Sequence, residues 1–80
     1  MKAKEMFEKL GYELKQGIDF LLYVLESEEN PDIQYYIEFN TDVKIIIIDT
    51  NHKDFINDIT LKELQAINKQ VEELGWLDNE

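Results

Sequence analysis

The side chains that most often bind metal ions or transfer protons are histidine, cysteine, aspartate and glutamate, and only the two acids are abundant in this chain of 80 residues. His52 is the only histidine, and Asp49, Asp54 and Asp58 lie near it in sequence. A zinc site usually needs three or four ligands in a fixed geometry, whereas acids in a polar stretch are more typical of a solvated loop with Asp-based turns. We therefore predict no metal site and no cofactor.

Nucleophilic catalysis finds no support in the residues available. The chain has no cysteine, and Ser27 lies in an acidic segment far in sequence from the single histidine. The three glycines are scattered, so they do not form the glycine-rich loop that binds phosphate groups. We predict that the protein is not an enzyme.

One spacing nevertheless matches a catalytic pattern. Pro31-Asp32 followed by Asp42-Val43-Lys44 fits the Pro-Asp…(Asp/Glu)-x-Lys pattern of a large nuclease superfamily, whose carboxylates converge on a divalent metal ion beside a lysine. Three points oppose it: Asp42 falls in a predicted hairpin loop, Lys44 is predicted to pair with Glu38, and the chain lacks the basic residues that hold DNA. A minimal metal-dependent nuclease using Asp32, Asp42 and Lys44 is therefore the alternative hypothesis.

The charge of the chain is strongly acidic. It contains eight lysines, no arginine and 18 acids, which gives a net charge of −10. Nucleic-acid binding depends on basic side chains that contact phosphates, so we expect no direct binding to DNA or RNA. An acidic surface attracts a basic protein, although acidity also serves solubility alone. The candidate patch for a basic partner consists of Glu26, Glu28, Glu29 and Asp32.

Length and hydrophobicity indicate one domain that works in the cytoplasm. Eighty residues lie near the small end of what folds independently. Residues 1–7 lack the apolar segment of a signal peptide, and no apolar run approaches the roughly 20 residues of a membrane span. We therefore expect a cytoplasmic protein without membrane contact.

Two helices are predicted, one near each end of the chain. In residues 2–10 the apolar side chains recur at the spacing of one buried stripe, and Gly11 supplies the left-handed residue that ends a helix. The second helix begins after Thr60, which forms a Thr-x-x-Glu capping box with Glu63, and ends before Gly75. Its predicted buried stripe consists of Leu61, Leu64, Ile67, Val71 and Leu74.

The residues between the helices are predicted to form antiparallel strands. Residues 43–49 include four consecutive isoleucines, whose β-branched side chains favour strands. An apolar run without alternation is typical of a strand covered on both faces, so we expect this strand to be central. Residues 33–39 alternate between apolar and polar, which indicates one buried and one exposed face. The other predicted strands are residues 12–15, residues 19–26 and a possible edge strand at 53–56.

A three-residue loop at residues 40–42 is predicted to join strands 33–39 and 43–49. This register pairs Glu38 with Lys44, an opposite-charge pair that supports it. On the opposite face it pairs Tyr35 with Ile47, Ile37 with Ile45 and Phe39 with Val43. The face that holds the charge pair then also carries Tyr36, Ile46 and Ile48.

The sum of these elements predicts a two-layer α+β fold with an N-terminal helix, an antiparallel β-meander of three to five strands and a C-terminal helix. The sequence leaves open whether both helices cover one face of the sheet or each covers its own. If both lie on one face, Tyr36, Ile46 and Ile48, together with one face of the strand at residues 20–25, form an uncovered apolar patch, and such patches mark interfaces. We therefore expect a homodimer that packs through the sheet face.

The two predicted helices also resemble a known group of proteins. Residues 4–12 and 59–76, and most specifically the stretch Ala66-Ile67-Asn68-Lys69-Gln70, resemble short acidic proteins encoded in phages and prophages of low-GC Gram-positive bacteria. The match covers the helices, about a third of the chain, and not the strands between them. This resemblance implies a phage-related origin and a location in the host cytoplasm, and it carries over no catalytic residue. Our first hypothesis is an accessory protein that acts by protein–protein interaction.

Overall fold

The helices and strands follow one another along the chain as a simple meander between two helices. The computed structural model describes residues 1–52 and 58–78, so the possible edge strand at 53–56 lies outside the described residues. The predicted two-layer α+β fold is confirmed, with four antiparallel strands in the order β1-β2-β3-β4. No described helix is both long enough and apolar enough to cross a membrane. The elements are α1 (Ala3–Lys9), β1 (Glu13–Gln16), β2 (Phe20–Glu26), β3 (Gln34–Asn40), β4 (Ile45–Thr50), α2 (Leu61–Glu73) and a short 3₁₀ helix (Trp76–Asp78).

Both predicted helix stops are confirmed. Gly11 has a φ of 97° and Gly75 a φ of 75°, the left-handed region that glycine enters most easily. After α1 the N–H of Gly11 donates to the carbonyl of Glu8, and the N–H of Tyr12 donates to the carbonyl of Phe7, both at 3.0 Å. These two bonds form a Schellman motif, which satisfies carbonyls that the helix end would otherwise leave unpaired.

The start of α2 is also confirmed, but its buried stripe is only partly as predicted. The Thr60 hydroxyl accepts from the N–H of Glu63, and the Glu63 carboxylate accepts from the N–H of Thr60. Ile67 is buried, and Val71 and Leu74 pack against the core, whereas Leu61 and Leu64 are exposed. The prediction that they are buried was wrong, because a different side of α2 faces the sheet. Two residues on that side, which the apolar pattern did not identify, are buried. These residues are Ala66 and Gln70.

The predicted hairpin register is wrong. The loop between β3 and β4 has four residues, because the Asn40 side chain accepts from the N–H groups of Asp42 and Val43 and Lys44 adopts a left-handed φ of 58°. Glu38 therefore lies opposite Ile47 and not opposite Lys44. A shift by an odd number of residues exchanges the two faces of a strand. Here it brings Ile46 and Ile48 to the helix side and turns Ile45 and Ile47 away from it.

The isoleucine strand is also not central. β4 lies at the edge of the four-stranded sheet that the described residues form, and Ile45, Ile46 and Ile47 are 47%, 37% and 41% exposed. β2 is instead an inner strand with a buried residue on each face, Tyr23 on the helix side and Val24 on the other. β2 lies between β1 and β3, so neighbouring strands pair with both of its edges.

The core lies between the sheet and both helices, which share one face of the sheet. The rings of Phe7 in α1 and Tyr23 in β2 stack with centroids 3.9 Å apart. The Tyr23 hydroxyl donates to Oε1 of Gln70 in α2 at 2.6 Å. A second tyrosine, Tyr12, donates from its hydroxyl to the carboxylate of Glu63. The buried cluster consists of Phe7, Tyr12, Tyr23, Ile37, Phe39, Ala66 and Ile67.

The two helix-stop glycines predict a difference in stability between two alanine substitutions. Both Gly11→Ala and Gly75→Ala force a Cβ into the left-handed region, at a cost of about 1 kcal/mol. At Gly11 the new Cβ would also lie 3.0 Å from Cδ1 of Leu25, which packs against the core, whereas no atom lies within 4 Å at Gly75. We expect urea denaturation to show a larger loss for Gly11→Ala. Equal losses would contradict this packing around Gly11.

The buried Tyr23–Gln70 hydrogen bond predicts that substitutions of these two residues have non-additive effects on the free energy of unfolding. Tyr23→Phe leaves the Gln70 oxygen without its donor, so we expect a loss of about 1–3 kcal/mol in the free energy of unfolding. Adding Gln70→Leu removes the unsatisfied acceptor and should recover part of that loss. Urea denaturation of the two single variants and the double variant measures the coupling, and strictly additive losses would contradict it.

The pH dependence of the same pair follows from the tyrosine. Burial raises the pKa of Tyr23 to about 12 from its ordinary value of 10, because the phenolate is poorly solvated there. The unfolded chain then releases this proton near pH 10, while the folded chain retains it. The contribution of Tyr23 to stability should be constant below pH 10 and be lost as the pH rises from 10 towards 12. The resulting fall in stability should be shallower in Tyr23→Phe, and an unchanged slope would contradict this assignment.

Candidate functional site

The face of the sheet turned away from the helices, which we call the open face, is covered by neither of the two helices that the structure describes. The strand register decides its members, since residues paired across strands share a face. One cross-strand row reads Lys15, Leu22, Glu38 and Ile47. The other residues of the open face are Glu13, Phe20, Val24, Glu26, Gln34, Tyr36, Asn40, Ile45 and Asp49.

Glu38 lies in the middle of this face, on an inner strand. Leu22 lies directly across from it on one side and Ile47 on the other. Within residues 1–52 and 58–78 its half-buried carboxylate makes no hydrogen bond and no ion pair. A carboxylate among apolar side chains loses hydration that no protein contact replaces. It is therefore the group on this surface that would gain most from a cation supplied by a partner.

Further carboxylates border the apolar residues. Glu13 and Glu26 are exposed, and together with Lys15, Val24 and Gln34 they line a shallow depression of about 290 Å³. Val24 is only 9% exposed, so its side chain gives the depression an apolar floor, with Glu13 and Glu26 as the acidic residues of a border that also includes Lys15. On the other side of the face Asp49 is exposed and accepts a hydrogen bond from the N–H of Thr50.

The predicted acidic patch adjoins this depression. Glu28, Glu29 and Asp32 are exposed in the loop between β2 and β3, next to Glu26 at the end of β2. The loop is closed by backbone hydrogen bonds, and Oδ1 of Asn30 accepts from the N–H of Asp32 at 3.1 Å. The four predicted acids therefore lie at one end of the open face and extend its acidic border.

The structure separates Tyr36, Ile46 and Ile48, the three residues predicted to form an uncovered apolar patch. Tyr36 belongs to the open face, where its hydroxyl donates to Oε1 of Gln34 at 2.9 Å. Ile46 and Ile48 lie on the helix side, opposite Phe39 and Ile37. The grouping of Tyr36 with Ile46 and Ile48 was wrong because it depended on the three-residue loop. Ile45 and Ile47 take their place beside Tyr36.

The acids of the nuclease pattern lie at opposite ends of one strand. Asp32 precedes β3 and Asp42 follows it. The seven residues of β3, at about 3.4 Å per residue, keep these two positions more than about 20 Å apart, which is too far for both to bind one metal ion. Lys44 lies beside Asp42 in the β3–β4 loop, at the end remote from Asp32.

The residues around His52 form no metal site that the structure describes. Asp54, one of the acids considered with it, lies outside the described residues. Across residues 1–52 and 58–78, no three His, Asp or Glu side chains are grouped so that they could hold a metal ion.

Comparison with known proteins adds no relative. No protein-family model matches the chain, and neither a curated protein nor a solved structure gives a significant match.

Several members of the open face were not predicted from the sequence because the face depends on the loop length. Leu22, Ile45 and Ile47 were recognised as apolar but were not assigned to this surface, and Glu38 was explained by a pair with Lys44 that does not form. The signal that was available is Asn40, because an asparagine side chain bonds to backbone groups that follow it and so favours a turn.

The position of Glu38 predicts an effect opposite to that of most substitutions. Glu38→Val replaces a carboxylate by an apolar β-branched side chain between Leu22 and Ile47, so we expect the free energy of unfolding to rise by roughly 0.5 kcal/mol. Glu26→Val, at the exposed end of β2, serves as the control and should change it less. Urea denaturation measures both, and a destabilised Glu38→Val would contradict this environment.

Proposed function

We propose that the protein is a phage- or prophage-related accessory protein that acts in the host cytoplasm by binding a basic protein, without catalysis of its own. The observation that carries this proposal is the composition of the open face, in which apolar side chains surround Glu38, no described residue pairs with its carboxylate, and further acids form the border. The resemblance of the two helices to phage and prophage proteins supports the origin. The partner is a protein surface that presents lysine or arginine beside apolar side chains.

The distribution of charge favours the sheet over the helices as the surface that attracts this partner. Residues 13–52, which include all four strands, contain nine acids and two lysines. They therefore carry seven of the ten net negative charges of the chain. Around the helices lysines offset many of the acids, as in the pairs Lys4–Glu8 and Lys69–Glu72. A basic partner approaching from solution is steered to the side with uncompensated charge.

The depression beside Val24 suits a long basic side chain. The methylene groups of lysine or arginine pack on apolar surface while the charged end remains near polar groups. Val24 offers the apolar floor, and Glu13 and Glu26 offer carboxylates at the border. Arginine would gain most, because its planar guanidinium can donate two parallel hydrogen bonds to one carboxylate.

Glu38 also disfavours the homodimer through the sheet face that the sequence suggested. Packing two open faces together would enclose both Glu38 carboxylates among apolar side chains, and a buried charge without a partner is costly. A cation from a different protein would offset that cost. The open face is therefore better suited to a basic partner than to a second copy of itself.

A designed peptide tests this proposal without knowledge of the natural partner. A helical peptide of leucine and arginine serves as the probe, and a peptide of the same pattern with glutamate in place of arginine serves as its control. We expect calorimetry to detect binding of the basic peptide alone, with an affinity that falls steeply as salt is raised. Amide chemical shifts should change on β2 and β3.

Matched variants locate the contact. Glu38→Gln removes the central charge with little change of shape and should weaken binding of the arginine peptide about tenfold. Glu8→Gln removes an exposed charge on α1 and should change the affinity much less. Equal effects of the two variants would show attraction by net charge alone and would overturn the assignment to the open face, as would equal binding of the acidic peptide.

A further inference from the structure

The outer edge of β4 has backbone groups that no described residue bonds. The N–H of Asn51 donates to the carbonyl of Gln34 at 3.2 Å, which fixes the alternation of the β3–β4 ladder. By that alternation Ile45, Ile47 and Asp49 direct their backbone groups towards β3, while Ile46 and Ile48 direct theirs outwards. The outward N–H of Thr50 is already taken by Oδ1 of Asp49 at 2.8 Å. The positions whose outward groups no described residue bonds are therefore Ile46 and Ile48.

In residues 1–52 and 58–78 this edge has little of the protection usual for edge strands. Exposed edges are normally short or carry charged residues or proline, which discourage pairing with another strand. β1, the opposite edge, follows this rule, because it has four residues and includes Glu13 and Lys15. β4 has six residues, four of them consecutive isoleucines, and its only charge is Asp49 near the end. The asymmetry marks β4 as an edge that can accept a strand.

We propose that β4 pairs antiparallel with β4 of a second copy of this chain, which joins two four-stranded sheets into one sheet of eight strands. The inference is independent of the basic partner proposed for the open face, because it uses the edge of the sheet. It also differs from the dimer through the sheet face, which would enclose Glu38.

The sequence of β4 is complementary to itself in this orientation. A two-fold axis at Ile47 places Ile46 opposite Ile48 of the second copy, so that the outward backbone groups of both residues form hydrogen-bonded pairs. Ile47 then meets its own copy on the open face, in a non-hydrogen-bonded pair where side chains lie closest. Isoleucine side chains then line the interface on both faces of the two-stranded ribbon that the two β4 strands form.

Charge complementarity favours a second copy over an unrelated strand. In the same register Asp49 of one chain lies opposite Ile45 of the other, one residue from that chain's Lys44. The two-fold axis repeats this arrangement at both ends of the ribbon, so each Asp49 has a lysine nearby and the two Asp49 carboxylates lie apart. Lys44 is exposed in the β3–β4 loop and is available for this contact.

The mass of the protein in solution, measured by light scattering after size exclusion, tests the proposal. The protein concentration should range from about 10 µM to about 1 mM, since self-association depends on concentration. We expect the mass to approach that of a dimer as concentration rises. Ile46→Pro removes an outward N–H without removing a bond to β3, and should weaken association roughly thirtyfold, because symmetry removes two hydrogen bonds. Gln16→Pro is the matched control on the β1 edge and should leave association unchanged.

Two oppositely charged variants at Ile47 test the proposal if Ile46→Pro does not fold. Ile47→Glu and Ile47→Lys alter a side chain that is already 41% exposed and place like charges opposite each other at the two-fold axis. Each should be monomeric alone, and an equimolar mixture should form a heterodimer. A wild-type monomer at every concentration would overturn the proposal, as would a dimer that tolerates these variants.

Discussion

Tyr23 is the residue through which both helices are joined to the sheet. Its ring stacks on Phe7 of α1, and its hydroxyl donates to Gln70 of α2. Because the side chain leaves β2 on one side only, both helices are drawn to the same face of the sheet. The other face is then covered by neither of the described helices. The open face is thus a consequence of one buried aromatic residue on an inner strand. The same residue determines both the packing of the core and the location of the candidate site.

A second constraint, the loop after Asn40, decides what that open face contains. The Asn40 side chain bonds two backbone N–H groups of the loop, and Lys44 takes the left-handed conformation that closes it. A loop of four residues instead of three turns Ile45 and Ile47 to the open face and leaves Glu38 without a lysine opposite. The same loop aligns β4 so that Ile46 and Ile48 direct their backbone groups outwards. Local turn chemistry therefore determines the surface chemistry of the whole sheet.

The parts of the fold that were predictable from sequence are those with a local physical cause. Gly11 and Gly75 end helices because glycine tolerates a positive φ, and the Thr60–Glu63 capping box needs only residues three positions apart. The parts that failed depend on distant contacts. Gln70 is buried because Tyr23 needs an acceptor, and the isoleucine run lies at an edge because of the strand order, which no local pattern reveals. The acids of the β2–β3 loop were recognised as a group, but their position beside the open face depends on how the sheet assembles.

The most direct test of the candidate site is the register of β3 and β4, because the open face, the position of Glu38 between Leu22 and Ile47, and the outward groups of β4 all depend on it. Nuclear Overhauser effects between α-protons measure this register, since the α-protons of non-hydrogen-bonded antiparallel pairs lie close together. We predict strong contacts between Ile37 and Ile48 and between Phe39 and Ile46, and a side-chain contact between Glu38 and Ile47. Contacts of Ile37 with Ile45 and of Glu38 with Lys44 would contradict the register, and with it the candidate site and the β4 dimer.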